Sequence, residues 1–326
     1  MRIVFAGTPD PAVPSLRALA SAASDGGHEL VGVVTRTDAP IGRKRVLTQS
    51  PVAAAAAELG LPVIKADRLD AAATDQIAAL RPDLGVIVAY GGLVREPLLS
   101  LPGHGWINLH FSLLPRWRGA APVQHALIAG DRTTGAAVFQ LVPALDAGDV
   151  FAQLRYDVPR GDTAGEVLTA LADRGAALLT DVVAAIGDGT ARAILQAGEP
   201  TLAPKLTLAD GALDLTLPAE RVLDRFRGTT PEPGAHVQVD GQRLKVLAAL
   251  RGPDLTLEPG AFALNSRDVV VGTGEGTVLL KTVQPAGKGA MNAADWWRGL
   301  RGDAPRADLP DRAALPGPPD LSGGSP

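Results

Sequence analysis

Three polar residues of this sequence, Asn108, His110 and Asp146, have the types and spacing of an acyl-transfer site. Asn108 and His110 stand two residues apart in the segment WINLH, so on a β-strand they point to the same face. Asp146 lies in LDAGD, a predicted turn between two strands that can face the pair. Amide and imidazolium groups can donate to a developing oxyanion, while a carboxylate orients the imidazole and helps to deprotonate an attacking amine. The set therefore fits acyl transfer without a covalent intermediate.

The same part of the sequence has other interpretations. Asn108 and His110 could form a hydrogen-bonded structural pair without a catalytic role. Ser112 lacks the G-x-S-x-G turn of a serine nucleophile, so we interpret it as a loop residue. The five histidines show no spacing typical of a zinc site. The turn at Gly7 has one glycine where a dinucleotide fingerprint needs three, which argues against a nicotinamide or flavin role.

The elements that must position these residues alternate between buried strands and helices. Apolar runs at 2–6, 29–35, 62–65, 83–90 and 106–110 predict strands, and the segments between most of them predict helices. Such alternation predicts a doubly wound, parallel, Rossmann-like α/β sheet, with ligand sites beyond the carboxyl ends of its strands. Two further strands are predicted at 135–142 and 149–158, followed by a long helix over 163–187.

The character of the sequence changes after this helix. We predict a catalytic α/β domain over 1–189 and a linker over 190–206, where proline and glycine interrupt any periodicity. Short strands with an Asp240-Gly241 turn and a glycine-rich turn then predict a small antiparallel barrel over 207–314. The tail over 315–326, rich in proline and glycine, is predicted to be disordered.

Composition limits the class of protein. A length of 326 residues predicts two domains, and 46% hydrophobic residues exclude a wholly disordered chain. The absence of cysteine excludes disulfides, thiolate metal sites and a cysteine nucleophile. A net charge of −4 excludes a globally basic nucleic-acid coat but permits a local basic patch. Because no signal-peptide core and no long apolar run is found, we expect a cytoplasmic location.

Several motifs of the chain resemble those of the folate-dependent formyltransferases. N-x-H-x-S-L-L-P at 108–115 followed by L-D-x-G-D at 145–149 is shared across that family. The segments GRKR at 42–45, PRWRGAAP at 115–122 and QPAGKGAM at 284–291 resemble more narrowly the branch that acts on methionyl-tRNA. The resemblance covers most of residues 1–300.

The resemblance implies that Asn108, His110 and Asp146 are the catalytic residues. It implies 10-formyltetrahydrofolate as the formyl donor, initiator methionyl-tRNA as the acceptor and a second domain that is an OB-like barrel contacting tRNA. Apart from the resemblance, we expect a monomer that needs no metal. The amine would attack the formyl group directly and pass through a tetrahedral intermediate. The residues implied to bind the folate are Ser112, Leu113, Leu114, Pro115, Gly91 and Val94.

Basic side chains near the predicted site are the candidates for contact with tRNA. Between Arg36 and Thr48 four basic residues accompany one acidic residue, although the protein as a whole is acidic. A solvated loop is the plain interpretation, and a flexible loop that grips the acceptor end of tRNA is the functional one. Arg116 and Arg118 either extend this surface or stabilise their turn. The candidate tRNA-binding residues are Arg43, Lys44, Arg45, Arg116 and Arg118.

Two positions depart from the family's pattern. Phe111 stands where a small residue is usual, and the segment 230–235 lacks an aromatic residue of the family's motif. Two rival functions remain open at this point. A formyltransferase for an amino sugar, or a formyl-folate hydrolase, would keep the catalytic residues but would need neither the basic loop nor the barrel. A non-catalytic nucleic-acid-binding protein would not need three convergent polar groups.

Overall fold

The computed structural model describes residues 1–24, 27–41, 45–300 and 304–309. The predicted tRNA contacts Arg43 and Lys44 and the predicted disordered tail over 315–326 therefore lie outside the described residues. The chain divides into two compact units. The first contains Met1–Ala120, Thr133–Asp157 and Leu168–Leu202, and the second contains Ala121–Arg132, Val158–Val167 and Ala203–Pro326.

Helices and strands alternate along part of the first unit, as the sequence predicts. In chain order the α-helices and strands up to residue 187 are β1 (Arg2–Gly7), α1 (Val13–Ser24), β2 (Glu29–Thr35), β3 (Ala39–Ile41), β4 (Val46–Thr48), α2 (Pro51–Glu58), β5 (Val63–Lys65), α3 (Ala71–Ala79), β6 (Leu84–Val88), β7 (Trp106–His110), α4 (Pro122–Ala129), β8 (Thr133–Gln140), β9 (Val150–Asp157) and α5 (Ala164–Gly187). The short strands β3 and β4 follow β2, however, and in the residues that the structure describes no α-helix separates β6 from β7 or β8 from β9.

The large sheet of the first unit is Rossmann-like but mixed. Its strand order is β5-β2-β1-β6-β7-β8-β9. The five strands from β5 to β7 pair in parallel, whereas β7–β8 and β8–β9 pair antiparallel. The prediction of a parallel sheet is therefore wrong for the two pairings of β8, which runs opposite to the other six strands. A short loop without a helix joins β8 to β9, and a parallel pair needs a crossover of about a dozen residues or more.

Strand β1 shows that both faces of the sheet are covered. Val4, Phe5 and Ala6 are successive residues of this strand and have no exposed surface.

Local sequence explains how two of the helices begin. Helix α2 begins after Ser50, whose side chain accepts a hydrogen bond from the backbone of Ala53 at 3.0 Å. The same capping begins α3 after Asp70. In the described residues no helix is long and apolar enough to cross a membrane.

The later elements belong mainly to an antiparallel sheet. They are α6 (Ala219–Gly228), β10 (His236–Val239), β11 (Gln242–Arg251), β12 (Phe262–Asn265), β13 (Asp268–Gly272), β14 (Thr277–Pro285), β15 (Met291–Asn292), α7 (Ala293–Arg298) and β16 (Ala307–Asp308). The sheet order is β12-β13-β14-β11-β10-β16, with β15 paired to β14. The predicted hairpin at Asp240 and Gly241 is confirmed: both residues have positive φ, as the common two-residue hairpin turn requires.

Residues 190–206, predicted to be a linker, are hydrogen-bonded to the first unit over much of their length. Ile194 and Val150 exchange backbone hydrogen bonds of 2.8 and 3.0 Å. The backbone N–H of Arg118 donates to the carbonyl of Thr201 at 2.8 Å. The compact unit extends to Leu202, and the predicted domain boundaries remain a prediction.

Candidate active site

The candidate site lies at the edge of the first sheet where the parallel strands end. Thr8 follows β1, Arg36 follows β2, and residues 89–92 follow β6. The hydroxyl of Thr8 donates to the carbonyl of Tyr90 at 3.1 Å, and the guanidinium of Arg36 donates to the carbonyl of Gly91. In open α/β sheets this carboxyl edge is where ligands bind.

Strand β7 carries two of the predicted catalytic residues. Asn108 is half-buried and pairs in register with Ile87 on one side and Phe139 on the other. His110 is the last residue of the strand and is only 6% exposed. Alternation along the strand places the two side chains on the same face, as predicted.

The hydrogen bonds of His110 define its tautomer. Nε2 lies 2.8 Å from the carbonyl oxygen of Trp117, and because a carbonyl can only accept, Nε2 carries the hydrogen. Nδ1 lies 3.9 Å from Oδ2 of Asp146, which is longer than a hydrogen bond. In the neutral imidazole Nδ1 therefore bears the free lone pair, and in the charged form it gains the proton.

Burial lowers the pKa of His110 below its ordinary value of 6.5, because desolvation disfavours the imidazolium. The negative charge of Asp146 and the carbonyl of Trp117 act in the opposite direction on this pKa. The resting imidazole is consequently neutral near pH 7. When it is protonated, the Asp146 carboxylate and the Trp117 carbonyl stabilise the imidazolium.

Asp146 is buried and its backbone has φ of 45°, in the left-handed region that non-glycine residues rarely adopt. The backbone N–H of Gly119 donates to its Oδ2 at 2.7 Å. Its own backbone carbonyl accepts a hydrogen bond from Nε2 of Gln196 at 2.8 Å. Hydrogen bonds to both the side chain and the main chain of Asp146 thus hold its carboxylate facing His110.

The predicted folate residues lie on two segments around this pair. Ser112 is fully buried, and its hydroxyl donates to the carbonyl of Arg116 at 2.6 Å, so it stabilises the turn. Leu114 packs in a cluster with Phe139 and Val150. Leu113 is half-buried and Pro115 is buried.

The second segment predicted to bind folate follows β6. Gly91 has φ of 79°, and its carbonyl accepts the hydrogen bond from Arg36 described above. Val94 is partly buried and packs against the cluster that contains Tyr90, Leu98 and Trp106. The main chain of this segment is held at the carboxyl edge of the sheet by Thr8 and Arg36.

The basic candidates differ in their surroundings. Arg45 is exposed, with φ of 49°. Arg116 is exposed and its guanidinium lies 5.3 Å from the centre of the Trp117 ring. Arg118 is half-buried and donates to Oε1 of Gln196 through Nη2 at 2.6 Å and Nε at 3.2 Å. Of the two interpretations left open for Arg118, the contacts favour stabilisation of the turn.

Sequence reasoning missed Gln196 and Thr201. Gln196 donates to main-chain carbonyls of the Asp146 loop, and Oγ1 of Thr201 accepts the backbone N–H of Trp117 at 2.9 Å. Both residues lie in a segment whose proline and glycine content indicates a linker, and nothing in its residue pattern signals contact with the site.

The sequence matches the formyl transferases over most of its length. One family model, described as "Formyl transferase", matches residues 1–183, and another, "Formyl transferase, C-terminal domain", matches residues 205–301. A methionyl-tRNA formyltransferase of Leifsonia xyli is 62% identical over 304 residues, covering 93% of this chain and 99% of that protein. The chain belongs to the methionyl-tRNA formyltransferase family.

Solved structures show the same fold at low sequence identity. A methionyl-tRNA formyltransferase from Clostridium thermocellum matches with a TM-score of 0.57 and 13% identity, over 89% of this chain and all of that one. HypX from Aquifex aeolicus, in complex with tetrahydrofolic acid, matches with a TM-score of 0.62 and 19% identity. That match covers 93% of this chain and 48% of HypX.

Proposed function

We propose that this protein transfers the formyl group of 10-formyltetrahydrofolate to the α-amino group of initiator methionyl-tRNA. Formyl transfer to methionyl-tRNA is the activity for which its relatives are named, at 62% identity over nearly the whole chain. The observation that carries the chemistry is the buried His110–Asp146 pair beside Asn108 at the carboxyl edge of the sheet.

The proposed reaction is a direct attack of the amine on the formyl carbon. The nitrogen–carbon bond to the methionyl group forms, and the carbonyl electron pair moves onto oxygen to give a tetrahedral intermediate. The carboxylate of Asp146 helps to move the proton of the attacking amine to Nδ1 of neutral His110, and Asn108 and the imidazolium so formed donate hydrogen bonds to that oxyanion. When the intermediate collapses, the bond to the folate nitrogen breaks and that nitrogen takes up the proton from His110. No formyl-enzyme forms.

The folate is proposed to lie against the two segments described above. Residues 112–115 follow β7, the strand of Asn108 and His110, and residues 91–94 follow the neighbouring strand β6. Main-chain groups and apolar side chains dominate both segments, which suits a flat heteroaromatic ring with polar edges.

For the second sheet we propose an OB-like barrel that contacts tRNA. Support comes from a bridge between Ala261 and Arg306, which stand next to the two end strands β12 and β16 of the sheet order. The backbone N–H of Ala307 also donates to the carbonyl of Gly260 at 2.8 Å. The basic residues around 43–45, together with exposed Arg116, are proposed to hold the acceptor end.

The rival functions have weaker support. An amino-sugar formyltransferase or a formyl-folate hydrolase would share the catalytic residues, but the high-identity relatives over the whole length are named for methionyl-tRNA. A non-catalytic nucleic-acid-binding role leaves the buried His110–Asp146 pair without a purpose. A monomeric state, a cytoplasmic location and independence from metal ions remain parts of the proposal.

The test is formylation of methionyl-tRNA with 10-formyltetrahydrofolate by the full chain and its variants. Loss of one oxyanion donor costs roughly 10²- to 10³-fold in rate, so Asn108→Ala and His110→Ala should each lower kcat by about that factor. Asp146→Asn keeps the shape, removes the charge and should be comparably damaging. His104→Ala, which removes an exposed histidine, is the matched control. Near-normal turnover of both His110→Ala and Asp146→Asn would overturn the assignment.

A further inference from the structure

The chain between Ile194 and Leu202, called here the strap, runs alongside the catalytic residues. Backbone hydrogen bonds hold it at both ends, from Ile194 to Val150 and from Thr201 to Arg118. Between these ends its side chains divide sharply. Ile194 is 70% exposed and Leu195 is 80% exposed, whereas the Gln196 side chain makes four hydrogen bonds to the rest of the first unit.

Gln196 connects the catalytic carboxylate loop to the turn after β7. Its Nε2 donates to the carbonyls of Asp146 and Gly148, each at 2.8 Å. Its Oε1 accepts two hydrogen bonds from the guanidinium of Arg118. The amide therefore uses both donors and its acceptor at once, and its orientation is determined by these partners.

Thr201 is connected to His110 through the main chain of Trp117. Its Oγ1 accepts the backbone N–H of Trp117, and the carbonyl of Trp117 accepts Nε2–H of His110. The hydroxyl of Thr201 thus holds the main chain of Trp117, whose carbonyl determines the tautomer of His110.

The two residues whose main chains the strap contacts, Asp146 and Trp117, both have a left-handed backbone. Asp146 has φ of 45° and Trp117 has φ of 61°, and neither is a glycine. Residues in this region persist where surrounding contacts hold them, and such residues cluster at functional sites. The strap supplies a contact to the main chain of each.

We propose that Gln196 and Thr201 are positioning residues that set the separation and orientation of His110 and Asp146 for formyl transfer. This inference rests on the proposed function for its kinetic consequence. At a separation of 3.9 Å, Nδ1 of His110 and the carboxylate of Asp146 do not form a hydrogen bond with each other, so both stay available to the substrate. Loss of the hydrogen bonds of Gln196 lets the Asp146 loop move, and loss of the Thr201 hydroxyl lets the main chain of Trp117 move, while His110 and Asp146 themselves remain.

The experiment compares four variants of the full chain. Gln196→Met keeps the length of the side chain and removes all its hydrogen bonds, and Thr201→Val removes one hydroxyl at almost constant shape. Each should lower kcat by up to about 10²-fold, the cost of misplacing reacting groups by about 1 Å, with little change in KM. Thr201→Ser restores the hydroxyl and should restore kcat. Leu195→Ala, in the same strap with an exposed side chain, is the matched control and should keep the wild-type rate.

A second readout does not depend on any substrate. The pKa of His110, followed by NMR of histidine-labelled protein, should fall in Gln196→Met and in Thr201→Val. The reason is that the Asp146 carboxylate and the Trp117 carbonyl, which favour the imidazolium, are then less well placed, whereas burial still opposes it. Asp146 is the charged group that faces this imidazole among the described contacts.

The outcomes separate this inference from the proposed function. If wild-type protein does not formylate methionyl-tRNA but the pKa of His110 falls in both variants, the function is wrong and the positioning stands. If wild type is active while Gln196→Met and Thr201→Val keep both its kcat and its His110 pKa, the positioning is wrong. A loss of kcat that Thr201→Ser does not restore, or that follows a lowered urea midpoint, would also overturn it.

Discussion

Replacing Gly148 with alanine should damage catalysis without touching a catalytic group. Gly148 lies in the loop between β8 and β9, two residues after Asp146. A Cβ built there would lie 1.7 Å from the backbone oxygen of Gln140 and 3.3 Å from Cγ1 of Val142. Because a backbone oxygen in a strand cannot turn aside, the loop itself has to move.

The size of the movement follows from these distances. Real Cβ contacts are essentially never closer than 3.0 Å, so Gly148 has to shift by about 1.3 Å relative to Gln140. A displacement of this size along either bond would take the 2.8 Å hydrogen bonds from Gln196 to Gly148 and Asp146 beyond 3.5 Å. We therefore expect kcat to fall by about 10²-fold and the free energy of unfolding to fall by about 1–3 kcal/mol.

The assay is steady-state formylation of methionyl-tRNA, with urea unfolding measured on the same preparations. Gly103→Ala is the matched control, since a Cβ at Gly103 meets no atom within 4 Å and the residue does not have a positive φ. Wild-type kcat in folded Gly148→Ala would refute the reasoning, because it would show that the position of this loop does not limit the reaction.

Two further predictions concern pH and salt. Burial lowers the pKa of His110 and of His125 in the folded protein, so the unfolded chain binds their protons more readily. The free energy of unfolding should therefore fall as the pH drops below about 6.5. Urea midpoints at pH 7.5 and 5.5 test this, and a higher midpoint at the lower pH would contradict it. The double variant Arg43→Ala, Lys44→Ala should flatten the slope of log affinity for tRNA against log salt by up to about 1.5. In this variant, tRNA should no longer protect the loop from trypsin. An unchanged slope and unchanged protection would make the loop an ordinary solvated turn.

Much of the catalytic strand could be predicted from local sequence. The segment from Trp106 to His110 is a strand as predicted, because a short apolar run that begins after a glycine is typical of one. Its period of two places Asn108 and His110 together, and the Asp240-Gly241 turn follows from the φ values that this dipeptide tolerates. These features depend on neighbours within a few residues.

The features that sequence reasoning missed depend on distant residues. Gln196 contacts Arg118 and Asp146, which are 78 and 50 positions away, so no local period signals its role. The predicted direction of β8 is wrong because buried parallel and antiparallel strands both appear as apolar runs. The left-handed backbone of Trp117 and Asp146 is likewise imposed by contacts rather than by residue type.

The order in which the site's parts leave the ribosome follows from the position of the strap. The first unit is built from three stretches of chain, the last of which ends at Leu202, and the strap is the end of that stretch. His110 and Asp146 are synthesised well before Gln196 and Thr201. The seven strands of the first sheet end at Asp157, so a nascent chain can form that sheet before the two residues proposed to position His110 and Asp146 have been synthesised. We expect the enzyme to become competent late, only after the chain has emerged beyond residue 202.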